Sequence, residues 1–241
     1  MPNTGAARRA RLAQVIPSSD ADLKSLPLRD RKKIQQRAVL IQIALKLFRD
    51  KGFESTRMED IAQIAEVSTP TVYNYFTNKR DVLVEVLNQD RTDGRHLFEK
   101  IMVDPPAEPE DAFAALIYAN MSNIRRPEDK RLWREILSAV ARSHDREQDS
   151  FEDNHEVFKG YVKRLLGYYI EKGKLSSDLP IEVAADVIFA VNSQNLRHIA
   201  SSERSSPEKI RDTARKQISF VIAKWHPQGA AASRAKKTRA K

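Results

Sequence analysis

Apolar side chains recur three and four positions apart along most of this 241-residue chain. Ile41, Ala44, Leu45 and Phe48, for example, would lie on one face of a helix. Alternating β-branched runs, which indicate strands, are few, and the prolines stand mostly between the periodic stretches. The sequence therefore predicts an all-α fold of about nine helices. They are expected at about 30–51, 57–65, 69–75, 79–103, 109–125, 128–146, 150–173, 181–202 and 207–225.

The positive charge of the chain is concentrated at its two ends. Residues 1–33 and 226–241 each carry a net charge of +5, so the rest is nearly neutral although the whole chain carries +9. We predict a disordered basic arm over 1–29 and a disordered basic tail over 227–241. Basic tails attract polyanions such as DNA, but they also simply keep proteins in solution, so this charge alone does not identify a function.

Several classes of protein find no support in the sequence. The chain has no cysteine, no apolar run long enough to span a membrane and no secretory signal at its start. Ser143, His144 and Asp145 are consecutive and would point in different directions from a helix, so they do not form a catalytic triad. No glycine-rich phosphate loop and no strong metal-ligand spacing occurs. We expect a cytoplasmic protein that is not an enzyme and has no cofactor, metal or membrane partner.

Residues 56–76 predict two short helices joined by a tight turn. Thr56 and Glu59 have the spacing of a capping box, and Ser68 can cap the following helix, which tolerates Pro70 in its first turn. Val72 and Phe76 are expected to point inward. Such a helix-turn-helix can place its second helix in the major groove of DNA.

Short hydroxyl and amide side chains suit contacts to base edges, whereas tyrosine hydroxyls and cations suit phosphates. A buried scaffold helix would not need Tyr73, Asn74 and Tyr75 in a row. The predicted DNA-binding residues are Arg57, Ser68, Thr69, Pro70, Thr71, Tyr73, Asn74, Tyr75 and Lys79.

Residues 34–94 resemble the N-terminal domain of the TetR family of transcriptional regulators. The most specific similarity is the run Thr71-Val72-Tyr73-Asn74-Tyr75-Phe76, followed by Lys79. The resemblance implies phosphate contacts by Tyr73, Tyr75 and Lys79, and a homodimer that releases DNA when a small molecule binds its C-terminal domain. The family usually has glycine where this chain has Glu66; if that position needs a left-handed backbone, Glu66 costs roughly 1 kcal/mol.

The resemblance also assigns residues 30–80 to DNA binding and 81–226 to ligand binding and dimerisation. The large apolar residues of the second part form an ordinary core or partly line a ligand cavity, and both interpretations are open. The predicted lining is Phe98, Met102, Phe113, Ile117, Met121, Trp133, Leu137, Phe158, Tyr161, Asn192 and Asn195. Further candidate polar groups are Asn88, Arg91, Arg95 and Asn120. A buried Asn192 and Asn195 would each need a partner, which we expect to be a neighbouring helix rather than a ligand.

The last helix carries an apolar stripe at helical spacing. Such a stripe either covers the helix's own core or, as the resemblance implies, pairs across a dyad with a second copy. The predicted dimer interface is Ile210, Ala214, Ile218, Val221, Ile222 and Trp225.

Together these features predict a repressor that binds double-stranded operator DNA as a homodimer and is released by a small-molecule effector. The alternatives are a transcriptional activator and a non-specific structural DNA-binding protein.

Overall fold

The computed structural model describes residues 25–142 and 146–227, without the side chains at 87–94, 139, 140, 142 and 146–154. Within these ranges the chain forms nine α-helices and no strand. They are α1 (Leu28–Lys51), α2 (Met58–Ile64), α3 (Thr69–Tyr73), α4 (Lys79–Val103), α5 (Pro109–Met121), α6 (Pro127–Arg142), α7 (Arg146–Glu171), α8 (Ile181–Ser201) and α9 (Pro207–Ile222). Most of the predicted arm and tail, 1–24 and 228–241, lies outside the described residues, as do Ser143, His144 and Asp145.

Two boundaries differ from the sequence prediction. The helix α1 begins at Leu28, so the end of the predicted arm is helical. The helix α5 ends at Met121 rather than near residue 125. Here the carboxylate of Asp129 accepts the main-chain N–H of Arg126 at 3.0 Å and of Arg125 at 3.4 Å. Because these two N–H groups donate to a side chain at the start of α6, they do not extend the hydrogen bonding of α5.

The helix α5 occupies the centre of the C-terminal part. It is apolar on almost every side and packs against α4, α7, α8 and α9. A helix without a polar face must be covered all round, and α9 supplies much of the cover. No helix in the described ranges combines the length and apolar character needed to cross a membrane.

The apolar stripe of α9 packs inside its own chain, which corrects the predicted dimer interface. Ile210, Ala214, Ile218 and Ile222 are buried against α5 and its neighbours, and Trp225 packs on the same core. Buried side chains cannot meet a second copy. Val221 is the predicted interface residue that does not belong to this core, and it is half-buried.

The helix α6 connects the N-terminal helices with α8. Toward α1, Asp129 lies 2.9 Å from the Arg49 guanidinium, Arg131 donates to the main-chain oxygens of Arg49 and Asp50, and Glu135 accepts the N–H of Phe53. Toward α8, the buried Lys130 ammonium donates to three main-chain oxygens at 2.8–3.0 Å, those of Ser202, Glu203 and Ser205. The buried ammonium of Lys130 therefore has a partner for each of its three donors, as burial requires.

We predict that Ile218→Ala lowers the free energy of unfolding by about 2–5 kcal/mol, because it leaves a cavity beside α5. The matched control is Val103→Ala at an 86% exposed position, which should change it by less than about 0.5 kcal/mol. Urea unfolding followed by circular dichroism measures both. Equal small effects would mean that the α9 stripe does not belong to the core.

Candidate nucleic-acid interface and apolar cavity

The turn between α2 and α3 is built by hydrogen bonds of the Schellman type. The N–H of Val67 donates to the oxygen of Ala62 at 3.0 Å, and the N–H of Glu66 donates to the oxygen of Gln63 at 3.2 Å. This motif requires a left-handed residue after the helix end. Glu66 fills that position with φ 53°, and it is the one non-glycine residue with positive φ in the described ranges. The expected left-handed backbone is therefore present.

The helix α2 begins one residue later than the predicted capping box implies. The Thr56 hydroxyl is buried and donates to the oxygen of Gly52 at 2.8 Å, so it does not cap α2. Instead, the carboxylate of Asp60 accepts the N–H of Arg57 at 2.9 Å. The acidic residue that accepts a hydrogen bond at the start of α2 is therefore Asp60, not Glu59 as predicted.

The helix α3 is only five residues long and is fixed at both ends. The Ser68 hydroxyl accepts the N–H of Thr71 at 3.4 Å and lies 2.8 Å from the Thr71 hydroxyl. Directly after it, Asn78 caps α4 through the N–H groups of Arg80 and Asp81. Val72 and Phe76 are buried, as predicted, and anchor α3 to α1 and α2.

The buried anchors leave one face of α3 open. Tyr73 is 46% exposed, and Ser68, Pro70 and Asn74 are also exposed, as is Arg57 at the start of α2. Thr69, Thr71 and Tyr75 are half-buried. Packing of the Tyr75 ring on the core raises the pKa of its hydroxyl by desolvation. This surface offers hydroxyl and amide groups that can donate to or accept from bases, and a guanidinium that suits a phosphate.

Lys79 has a structural role that the sequence analysis missed. Its ammonium donates to the oxygen of Phe53 at 2.6 Å and to that of Glu54 at 3.0 Å, and it lies 4.4 Å from the centre of the Phe53 ring. Two of its three donors therefore fix the loop between α1 and α2. One donor is left for the predicted phosphate contact.

The N-terminal half of α1 carries cations that the predicted DNA-binding residues did not include. Arg37 pairs with Glu85 at 2.7 Å and covers the ring of Phe76, the residue that follows α3 and Tyr75. One to two turns earlier on the same helix, Arg29, Lys32 and Lys33 are exposed. Because α1 begins at Leu28, Arg29 lies on a helix and not, as predicted, on a disordered arm.

A cavity of about 380 Å³ lies in the C-terminal part, between α4, α5, α6, α7 and α8. Four predicted residues line it: Phe98, Leu137, Phe158 and Asn192. Arg95 and Asn120, named as candidate polar groups, also line it, whereas the side chains of Asn88 and Arg91 lie outside the described residues. Residues that the prediction missed are His155, Val157, Phe189, Ala190, Ser193, Leu196 and Arg197.

The other predicted lining residues belong to the packed core, which corrects that part of the prediction. Phe113, Ile117 and Met121 are fully buried because α5 is covered on all sides, and Trp133 and Met102 pack on the same core. Tyr161 stacks on Phe98 and donates its hydroxyl to Glu99. Asn195 is satisfied by the oxygen of Val191 and by Gln217 of α9, a neighbouring helix, as expected.

The chain has recognisable relatives. The sequence pattern of bacterial regulatory proteins of the tetR family matches residues 40–86, which contain α2, α3 and parts of α1 and α4. The HTH-type transcriptional regulator YuxN of Bacillus subtilis is 33% identical over 89 residues, which are 36% of this chain and 31% of that protein. The HTH-type transcriptional repressor ComR of Escherichia coli is 32% identical over 92 residues, 36% of this chain and 44% of that one. The chain thus matches less than half the length of either relative.

A solved structure extends the similarity of fold beyond this region. A tetR-family regulator from Mesorhizobium loti superimposes with a TM-score of 0.64 at 19% identity. The superposition covers 81% of this chain and 99% of that one. At this identity the similarity shows that the two chains share the fold.

We predict that Glu66→Gly raises the free energy of unfolding by up to about 1 kcal/mol, because glycine adopts positive φ without strain. Operator affinity should stay the same or increase, since a carboxylate near DNA phosphates is removed. The matched control is Ala65→Gly at φ −77°, which should lower stability by about 0.5–1 kcal/mol. Thermal unfolding and fluorescence anisotropy with DNA measure the two effects. Clear loss of affinity in Glu66→Gly would contradict this description of the turn.

Proposed function

Because the chain belongs to the TetR family of bacterial regulatory proteins, we propose that it represses transcription in the cytoplasm by binding operator DNA as a homodimer. A small molecule bound in the C-terminal part releases it from the operator. In this proposal residues 30–80 read DNA, and residues 81–226 bind the small molecule and dimerise.

The exposed face of α3 is the observation that supports DNA binding most strongly. A five-residue helix anchored by Val72 and Phe76 presents Tyr73 and Asn74 outward, although neither is needed to hold the helix. A protruding helix with hydroxyl and amide groups fits a major groove about 12 Å wide. We assign base contacts to Thr69, Thr71 and Asn74, and phosphate contacts to Arg57, Tyr73, Tyr75 and the free donor of Lys79.

The contacts of α6 support a route from the cavity to this face. Leu137 lines the cavity, and Glu135, half a turn earlier, accepts the N–H of Phe53. The oxygen of Phe53 is in turn bound by Lys79, which begins α4 directly behind α3. A ligand that shifts α6 would therefore move the loop that supports the recognition helix. Such a ligand acts by binding one arrangement better than the other.

We assign the dimer interface to the outer faces of α8 and α9, not to the stripe that the sequence suggested. These helices lie side by side, joined by the bond between Asn195 and Gln217. Phe220 on α9 is 85% exposed, and Val183 on α8 is also exposed. Large exposed apolar side chains on adjoining helices are typical of a protein interface. A two-fold dimer would present two copies of α3 to a palindromic site.

The first experiment selects genomic fragments with purified protein at physiological salt and footprints the recovered sites. We expect a palindromic operator bound about 10³-fold or more tighter than random DNA. Tyr73→Ala should weaken operator binding about tenfold or more, because a phosphate contact is lost, without a change in melting temperature. The control Tyr118→Phe, on α5, should bind as the unaltered protein does.

Recovery of all fragments alike, with a steep salt dependence, would contradict the repressor and favour a structural DNA-binding protein. Equal operator binding by Tyr73→Ala and the unaltered protein would remove α3 from the interface.

The dimer assignment is tested with Phe220→Glu, which places a charge on the proposed apolar interface. We expect it to sediment as a folded monomer at micromolar concentration, since burying an unpaired charge is costly. Val103→Glu, at a similarly exposed position on α4, is the control and should remain a dimer. A dimeric Phe220→Glu variant would place the interface elsewhere.

A further inference from the structure

The described lining of the cavity carries positive but no negative side chains. It includes Arg95 and Arg197, both exposed residues, and no acidic residue. Neither guanidinium forms an ion pair with a carboxylate in the described ranges. The neighbouring acid Glu99, one turn after Arg95, is bound by the Tyr161 hydroxyl. The described part of the lining therefore contains two exposed arginines that pair with no carboxylate of the described residues.

The inner side of the cavity carries a pair of amides. The Asn120 amide donates to the amide oxygen of Asn192 at 3.1 Å, and Asn192 is only 3% exposed. This bond uses one oxygen and one N–H, and no other hydrogen bond holds these two side chains in the described part of the chain. The Asn192 amino group and the Asn120 oxygen are thus left to a molecule in the cavity. A buried amide with free hydrogen-bonding capacity normally finds a partner.

The walls between these two polar regions are apolar. The ring centre of Phe158 lies 6.1 Å from that of Phe98 and 6.3 Å from that of Phe189, so the three rings form a row. Leu137 and Leu196 also line the cavity. A volume of about 380 Å³ lies in the range of roughly 300–1,000 Å³ that is typical of small-molecule sites.

We propose that this cavity binds organic anions, with one acid group between Arg95 and Arg197 and an apolar body along the three phenylalanine rings. Guanidinium groups match carboxylates in charge and geometry, and the same two groups repel cationic ligands. The amide pair binds a carbonyl or hydroxyl group carried by the inner end of the ligand. This assignment rests on the ligand-responsive function proposed above and names the chemical class of the effector.

The test compares three ligands that share a ten-carbon chain and differ in charge: decanoate, 1-decanol and decylammonium. Isothermal titration of the full chain without DNA measures their binding. We expect decanoate to bind at least tenfold more tightly than 1-decanol, a difference of about 1.4 kcal/mol. Decylammonium should bind more weakly than 1-decanol.

The double variant Arg95→Gln, Arg197→Gln should reduce the advantage of decanoate over 1-decanol to less than threefold. The binding of 1-decanol itself should remain, because the apolar walls are unchanged. Arg204→Gln, which removes an exposed cation outside the cavity, is the matched control and should keep the preference. Thermal unfolding confirms that all variants are folded.

Equal binding of the three ligands, no binding of any, or a preference that persists in the double variant would overturn the anion assignment. None of these results concerns the operator, which is measured separately by DNA selection. Conversely, a protein that binds no operator but prefers decanoate through Arg95 and Arg197 would retain the anion site and lose the repressor function.

Discussion

The polar contacts of α6 hold together parts of the chain that are far apart in sequence. Its side chains bind main-chain groups in two directions, at the end of α1 and at the end of α8. Main-chain groups at helix ends need such partners, because the helix itself leaves them unsatisfied. Lys130, Glu135 and Arg134 thus stabilise two helix ends and a loop while Ile136 and Leu132 contribute to the core. A helix with both kinds of contact fixes the position of the N-terminal helices relative to the cavity.

The helix α3 shows how little local stability a five-residue helix possesses. Five residues are too few to form a stable helix in water, because helix nucleation is unfavourable and so short a helix has few hydrogen bonds to offset its free-energy cost. The cap from Ser68 and the burial of Val72 and Phe76 provide what the helix lacks, and Lys79 holds the neighbouring α1–α2 loop. Val72 and Phe76, which are buried to hold the helix, cannot also point toward a ligand. The division of α3 into anchors and an open face follows directly from this shortage.

The features that could be predicted from the sequence are those that depend on residues close together in the chain. The caps at Ser68 and Asn78, the left-handed Glu66 and the inward Val72 all follow from rules that act over one or two turns. The stripe of α9 could not be placed in the same way. Its periodicity indicates a buried face, but the same residues would be buried whether that face packed on α5 or on a second copy of the chain. The lining of the cavity was only partly predicted, since Phe98 and Phe113 differ in their neighbours across the fold rather than in their type. The contact between Asn120 and Asn192 could not be predicted, because the two residues are 72 positions apart and meet only in the folded chain.

The burial of the α9 stripe within its own chain also affects how an assembly of this protein would come into being. Ile210, Ile218 and Ile222 are buried in the core of a single chain. Folding is then a first-order event and association a separate, concentration-dependent one. In the proposed homodimer, protomers of this kind would exchange partners without unfolding, so that copies carrying different substitutions in α3 would combine into mixed dimers on mixing.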